Sequence, residues 1–194
     1  MSDKDVADLA MRIQNTEFTN TKVKLILDFL KQHENNASFA ETGLNLLATW
    51  ATGDDHINLT VHIVNENGIS VTLDLMELHQ QNANVQMLGI KTLGAMAQNP
   101  AIGKQIAEAQ GVSKIVQSMK RQDDPAIYEV GLLALQNLCV DRTAKTCALA
   151  DEVLYFSRPL CHSAIPTINT LACTVCFLLE NDMEALLSQQ IEGS

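Results

Sequence analysis

The sequence predicts an all-α chain built from a repeated three-helix unit. Three observations predict it. Glycines recur at a near-constant interval, apolar residues three apart mark one helical face in each copy, and no stretch makes a convincing alternating strand.

Two segments align over most of their length. GISVTLDLMELHQQNANVQMLGIKTLGAMAQNPAIGKQIAEAQ begins at Gly68, and GVSKIVQSMKRQDDPAIYEVGLLALQNLCVDRTAKTCALADE begins at Gly111. Each opens on a glycine and an apolar segment, then crosses a polar gap into a long apolar helix with one inner glycine. Each ends in a short, alanine-containing helix. The opening glycines are 43 residues apart, and the inner glycines, Gly89 and Gly131, are 42 apart. Gly43 continues the frame upstream at a spacing of 46, and Ala172 continues it downstream at 41.

The elements follow in order within one domain, residues 1–194. Residues 1–22 form an N-terminal cap, in which Asp3–Gln14 reads as an amphipathic helix with Val6, Leu9, Ala10 and Ile13 inward. Repeats occupy 23–67, 68–110, 111–152 and 153–180, and residues 181–194 form a polar C-terminal cap, with Asn181–Gln190 helical. The long third helices start near Ser38, Asn84, Pro125 and Ile165. Their core stripes read Leu44, Leu47, Trp50; Ile90, Leu93, Met96; Leu132, Leu135, Leu138; and Cys173, Cys176, Leu179. The small residue at the frame position admits a neighbouring helix; packing is the reason to accept a mid-helix glycine, which costs about 1 kcal/mol against alanine.

The preceding helix repeats as Ile26 and Leu30, Ile69 and Leu73, Val112 and Val116, then Val153, Phe156 and Leu160. The short first helix repeats as Leu59 and Ile63, Ile102 and Ile106, Ala144 and Ala148. Ile69-Ser70-Val71-Thr72-Leu73 alternates but falls inside the frame and is assigned to helix. Asn99-Pro100 and Asp124-Pro125 each place a cap residue before a proline at the first helical position. Ser38 with Glu41 reads as a capping box, and Gly68 and Gly111 as left-handed helix ends.

Composition excludes several functions. Lysine plus arginine number 13 against 23 acidic residues, a net charge of -10, so phosphate backbones and anionic lipids are repelled and a basic partner is favoured. The first twenty residues hold four acidic residues and no apolar h-region. The longest apolar run, near Leu171–Leu179, falls well short of the roughly 20 residues a membrane span needs. Five cysteines, crowded between Cys139 and Cys176, suit reduced thiols in a core rather than a secreted disulfide framework. The expected place is the cytoplasm, with the nucleus as the alternative. The sequons at Asn36 and Asn58 are chance matches in that setting.

No motif supports catalysis. Cys173-Thr174-Val175-Cys176, near Cys161-His162, has a spacing that serves zinc or thiol exchange, but its cysteines fall on the core stripe, where a thiol packs as a small hydrophobe. The histidines His33, His56, His62, His79 and His162 show no ligand spacing, and Gly89 and Gly94 make no dinucleotide fingerprint. Asp123-Asp124 and Asp151-Glu152 lie at expected helix starts and complement the helix dipole. No enzyme, cofactor or metal is expected.

NENGISVTLDLM…VQMLGIKTLGAMAQNPAIGKQIAEAQGV and YEVGLLALQNLCVD resemble the armadillo-repeat family, over roughly Val23 to Leu179. HEAT repeats are the alternative; the three-helix frame and inner glycine favour armadillo. The resemblance implies a right-handed superhelical solenoid of about four repeats. Its third helices would line a concave groove that binds a protein surface or an extended peptide, making the chain an interaction adaptor or scaffold. The runner-up is a chaperone regulator, a nucleotide-exchange or co-chaperone module cupping a heat-shock chaperone's ATPase lobe. The resemblance also leaves room for a homodimer through the solenoid ends.

In nuclear-import adaptors of this family the third helix carries tryptophan two residues after the frame position and asparagine six after it. Here those places hold Asn45, Lys91, Leu133 and Thr174, then Thr49, Ala95, Asn137 and Leu178, so only Asn137 matches. One turn earlier stand Glu41, Met87, Glu129 and Thr170. The expected groove is therefore Glu41, Asn45, Thr49, Met87, Lys91, Glu129, Leu133, Asn137, Thr170 and Thr174. It is a mixed surface with Met87 and Leu133 as apolar anchors.

Overall fold

The computed structural model describes the backbone at residues 11, 19–53 and 56–192, and the side chains at 11, 21–53 and 59–181. Eleven helices lie among the described residues. They are α1 (Thr19–Gln32), α2 (Ala37–Thr52), α3 (His56–Asn65), α4 (Gly68–Leu78), α5 (Ala83–Met96), α6 (Pro100–Glu108), α7 (Gly111–Gln122), α8 (Pro125–Leu138), α9 (Arg142–Ala150), α10 (Val153–Leu160) and α11 (Pro166–Glu192). No strand occurs among the described residues. The expected Asp3–Gln14 cap helix lies outside the described residues apart from Met11. At the other end α11 runs unbroken to Glu192, so no separate cap helix starts at Asn181.

The chain forms two compact units, Met1–Met96 and Ala97–Ser194. In the first, third helices α2 and α5 pack on each other, and α4 packs on α5. Leu44, Leu47, Ile90, Leu93 and Met96 are fully buried there. Trp50 is only half-buried, and Ala51 beside it takes the enclosed place. Thr92, also fully buried, ties the two helices together: its hydroxyl lies 2.8 Å from the Leu88 carbonyl and 3.1 Å from that of Leu44. Gln86 reaches back from α5 and donates to the Met76 and His79 carbonyls at 2.7 and 3.2 Å, satisfying acceptors at the end of α4. In the second unit α8 packs on α11, α6 on α9, and α10 on α11. Leu132, Leu135, Leu138, Val175 and Leu179 close its core.

The inner glycines serve close packing. A Cβ at Gly43 would stand 2.5 Å from the Leu30 side chain, one at Gly89 2.6 Å from the Met76 sulfur, and one at Gly131 2.7 Å from Met119 Cγ. The opening glycines correct the expectation. Gly68 and Gly111 are the first residues of α4 and α7, and neither has a positive φ. The left-handed turn belongs to the residue before: Asn67 (φ 63°), Gln110 (φ 63°) and, in the last copy, Glu152 (φ 58°). Glycine is needed instead because a Cβ at 68 or 111 would sit 2.6 or 2.8 Å from the backbone oxygen of Ile63 or Ile106.

Left-handed backbone is strained for a long side chain and tolerated by asparagine. Gln110→Gly is therefore expected to raise stability by about 0.5 kcal/mol, while Asn67→Gly stays near neutral. Urea titrations of the two variants check this.

Capping follows short-range chemistry. Asn99 and Asp124 cap as expected, accepting from Ala101 N at 3.0 Å and Ala126 N at 2.8 Å. The capping box at Ser38 and Glu41 does not form. Asn36, two residues earlier, accepts from Phe39 N at 3.2 Å and starts α2 at Ala37. Asp151 ends α9 rather than starting a helix, and Glu152 makes no side-chain cap bond.

Candidate protein-binding face

In the first unit the face is carried by α2 and α5. Glu41, Asn45 and Thr49 follow one another at intervals of four along α2, the spacing that stacks side chains on one helical face. Asn45 and Thr49 are exposed and Glu41 half-buried. Glu41 is already engaged: its carboxylate accepts from Asn82 Nδ2 at 3.0 Å and Asn84 Nδ2 at 3.5 Å, pinning the turn before α5. On α5, Met87 is half-buried and Lys91 exposed.

In the second unit α8 carries Glu129, Leu133 and Asn137 at the same interval. Glu129 is exposed, Leu133 is 48 % exposed and Asn137 is half-buried. Leu133 is free of the core because Leu132 and Leu135 fill it from either side at 0 % exposure. On α11, Thr170 is exposed and Thr174 half-buried.

The threonines share one geometry. Thr49 donates to the Asn45 carbonyl at 2.8 Å, Thr170 to Pro166 at 2.9 Å and Thr174 to Thr170 at 2.8 Å. Their protons are spent inside the helix, so the oxygens face outward as acceptors. In the second unit Glu129, Thr170 and Thr174 make the face rich in acceptors, which suits a ligand that brings donors.

Sequence reasoning missed Phe177. It is 63 % exposed on α11, one turn beyond Thr174. The signal was available: Phe177 stands three residues after Thr174 and four after Cys173, on the side of the helix that carries Thr170. The expected core stripe through Cys173 obscured it.

Cys173 is itself a correction, because it is exposed while Cys176 is buried. The same position is filled by Leu44, Ile90 and Leu132 in earlier copies, all buried. Val175 takes the enclosed place instead.

Burial pushes the Cys161 and Cys176 thiols up from their ordinary value, and a hydrogen bond with Cys161 does the same for Cys173. Thiols held protonated are poor nucleophiles and poor metal ligands. Among the described residues no three His, Cys, Asp or Glu side chains form a metal-holding group. Cys176→Val should change stability by less than about 1.5 kcal/mol, as near-isosteric core replacements do, and exposed Cys173→Ser by less than about 0.5 kcal/mol. Thermal melts of both variants measure this.

A cavity of about 280 Å³ lies elsewhere in the first unit, between α1 and α4, with Leu30, Val71 and Leu75 in its lining and Lys31, Glu34 and Asp74 among its polar residues. Of its apolar residues, Leu30 is one of the repeated positions of the frame, and Val71 and Leu75 are not. Among the described residues no helix is long and apolar enough to cross a membrane.

No family model matches this chain, and no curated protein matches it. Two solved structures, both engineered proteins of the Northeast Structural Genomics Consortium, are similar in fold. One has a TM-score of 0.73 at 19 % identity over 83 % of this chain and 63 % of its own. The other has a TM-score of 0.72 at 20 % identity over 82 % of this chain and 38 % of its own. The chain thus spans less than two thirds of either. At such identities the likeness carries the fold alone, an all-helical arrangement shared with engineered helical repeat proteins.

Proposed function

We propose that this chain is an armadillo-type solenoid of about four repeats that acts as an adaptor or scaffold, binding an extended peptide or a protein surface on its third-helix face. Leu133 carries the reading. It is a large apolar side chain, 48 % exposed, on a helix whose core stripe is already complete without it. Burying the half of this side chain that is still in water is worth about 1 kcal/mol, which a partner would recover. Phe177, 63 % exposed on α11, offers a second anchor in the same unit. Glu129, one turn before Leu133 on α8, and Thr170 and Thr174, on the Phe177 side of α11, offer acceptors for backbone N–H groups, and Asn137 lies one turn after Leu133. The net charge of -10 favours a basic ligand. The cytoplasm or nucleus is the compartment that fits an acidic chain whose described cysteines form no disulfide.

Selection from a displayed library of extended peptides tests the reading. Enriched peptides should combine an aliphatic or aromatic residue with lysine or arginine, and Leu133→Asp should abolish the enrichment. Enrichment that survives Leu133→Asp, or a selection that yields no binder, refutes it.

A further inference from the structure

Three thiols gather where the end of α10 meets α11: Cys161 interacts with both Cys173 and Cys176, and of these two only Cys176 is enclosed. Cys161 caps α10, and Cys176 sits on α11 with 6 % exposure. Their sulfurs are 3.7 Å apart. A disulfide needs about 2.0 Å, so the sulfurs must close by less than one bond length. The surrounding contacts hold the pair in register. Asn169, on α11, donates its side-chain amide to the Cys161 carbonyl. Arg158 on α10 meets Glu180 on α11 at 2.9 Å. Cys161 precedes the turn that leads into α11 and is half-buried, so it has access to solvent, with its sulfur also 3.7 Å from the Ser157 carbonyl oxygen. Cys176 is enclosed, so a bond to it would be shielded once made.

We propose that Cys161 and Cys176 form a reversible dithiol, which closes to a disulfide by exchange with a small-molecule disulfide and staples the end of α10 to α11. Cys161 loses its proton, and its thiolate attacks one sulfur of RS–SR. That S–S bond breaks and RS⁻ leaves, taking up a proton as RSH. The product is a mixed disulfide on Cys161. Cys176, deprotonated in turn, attacks the Cys161 sulfur and displaces the second RS⁻. Two protein thiols are oxidised by two electrons in all, and one RS–SR is reduced to two RSH. Because burial keeps both thiols protonated, the exchange is slow and runs best in mildly alkaline buffer.

The consequence is mechanical. The bond closes a loop between residues 15 apart in sequence and restrains the unfolded chain. It also fixes the seat of α11, the helix that bears Thr170, Thr174 and Phe177. The inference stands on the thiol geometry and does not rest on the proposed binding function.

The test incubates the full chain with glutathione disulfide, maps its disulfides by mass spectrometry and melts it before and after a reducing agent. The expected result is an intramolecular Cys161–Cys176 linkage with a rise in Tm of at least about 4 °C, reversed by reduction. Cys173→Ser should keep both the linkage and the shift, and Cys176→Val, which should fold, should lose both. A Cys161–Cys173 linkage, an intermolecular bond, a mixed disulfide that never resolves, or a linkage without a change in Tm overturns the proposal.

Discussion

Gly111→Val is expected to destabilise the protein by about 3 kcal/mol, at the upper end for overpacking. The added Cβ would sit 2.8 Å from the Ile106 backbone oxygen, and it would also collide with the Ile106 side chain. A side chain can rotate away, but a carbonyl held in helix α6 moves only if the α6–α7 junction opens. The chain contains its own solution to half of this conflict. Ile63 precedes Gly68 by five residues and Ile106 precedes Gly111 by five, whereas in the last copy Ala148 precedes Val153. Large-then-small becomes small-then-larger at the same register. Ile106→Ala alone should cost about 3 kcal/mol through the cavity it leaves. Combined with Gly111→Val, it should show a favourable coupling of at least about 1 kcal/mol. Denaturant titrations with an unchanged m-value measure the cycle. Simple additivity would mean that the side-chain exchange is unrelated to the junction.

This pair also shows what the sequence disclosed and what it hid. The interval between glycines located the third helices to within a residue or so: α2, α5, α8 and α11 start at Ala37, Ala83, Pro125 and Pro166. Periodicity reports position along a helix, and position is governed by local chemistry that a single sequence displays. It does not report what stands opposite. Gly68 and Gly111 looked like left-handed helix ends because glycine commonly serves there. The true cause, an approaching carbonyl, is a tertiary contact. Cys173 failed for a related reason: it is exposed where earlier copies are buried, and burial depends on what packs against a position, which the spacing does not display. Ser38 with Glu41 matched a capping pattern, but Glu41 was drawn instead to Asn82, 41 residues away, a pairing invisible at short range. The ten expected residues of the candidate face all fall outside the buried core, because a filled apolar stripe dictates which neighbours point out. Phe177 escaped because the stripe in the last copy was assigned by homology of position rather than by burial.

The second large effect concerns binding. Leu133→Asp combined with Asn137→Ala is expected to weaken partner binding by about 2 kcal/mol or more, the scale of a hot-spot loss. Leu133→Asp removes an apolar anchor and adds a carboxylate to a face that already bears Glu129. The fold should survive, because Leu133 is 48 % exposed and the core beneath it is complete. Asn137→Ala removes a group able to donate to and accept from a peptide backbone. Calorimetric titration with a selected peptide reads the affinity, and a thermal melt of the same sample reads the fold. An unchanged affinity in the folded double variant would place the binding surface elsewhere, with the cavity between α1 and α4 as the first alternative to probe.

Site-specific photo-crosslinking decides most directly whether the third-helix face is the binding face. A photoreactive residue is placed in turn at Leu133 on α8, at exposed Gln117 on α7 and at exposed Tyr155 on α10, and each protein is irradiated with a selected peptide. The prediction is efficient capture from position 133 and none above background from 117 or 155. Capture from 117 or 155, with position 133 silent, would contradict the assignment of binding to the third helices.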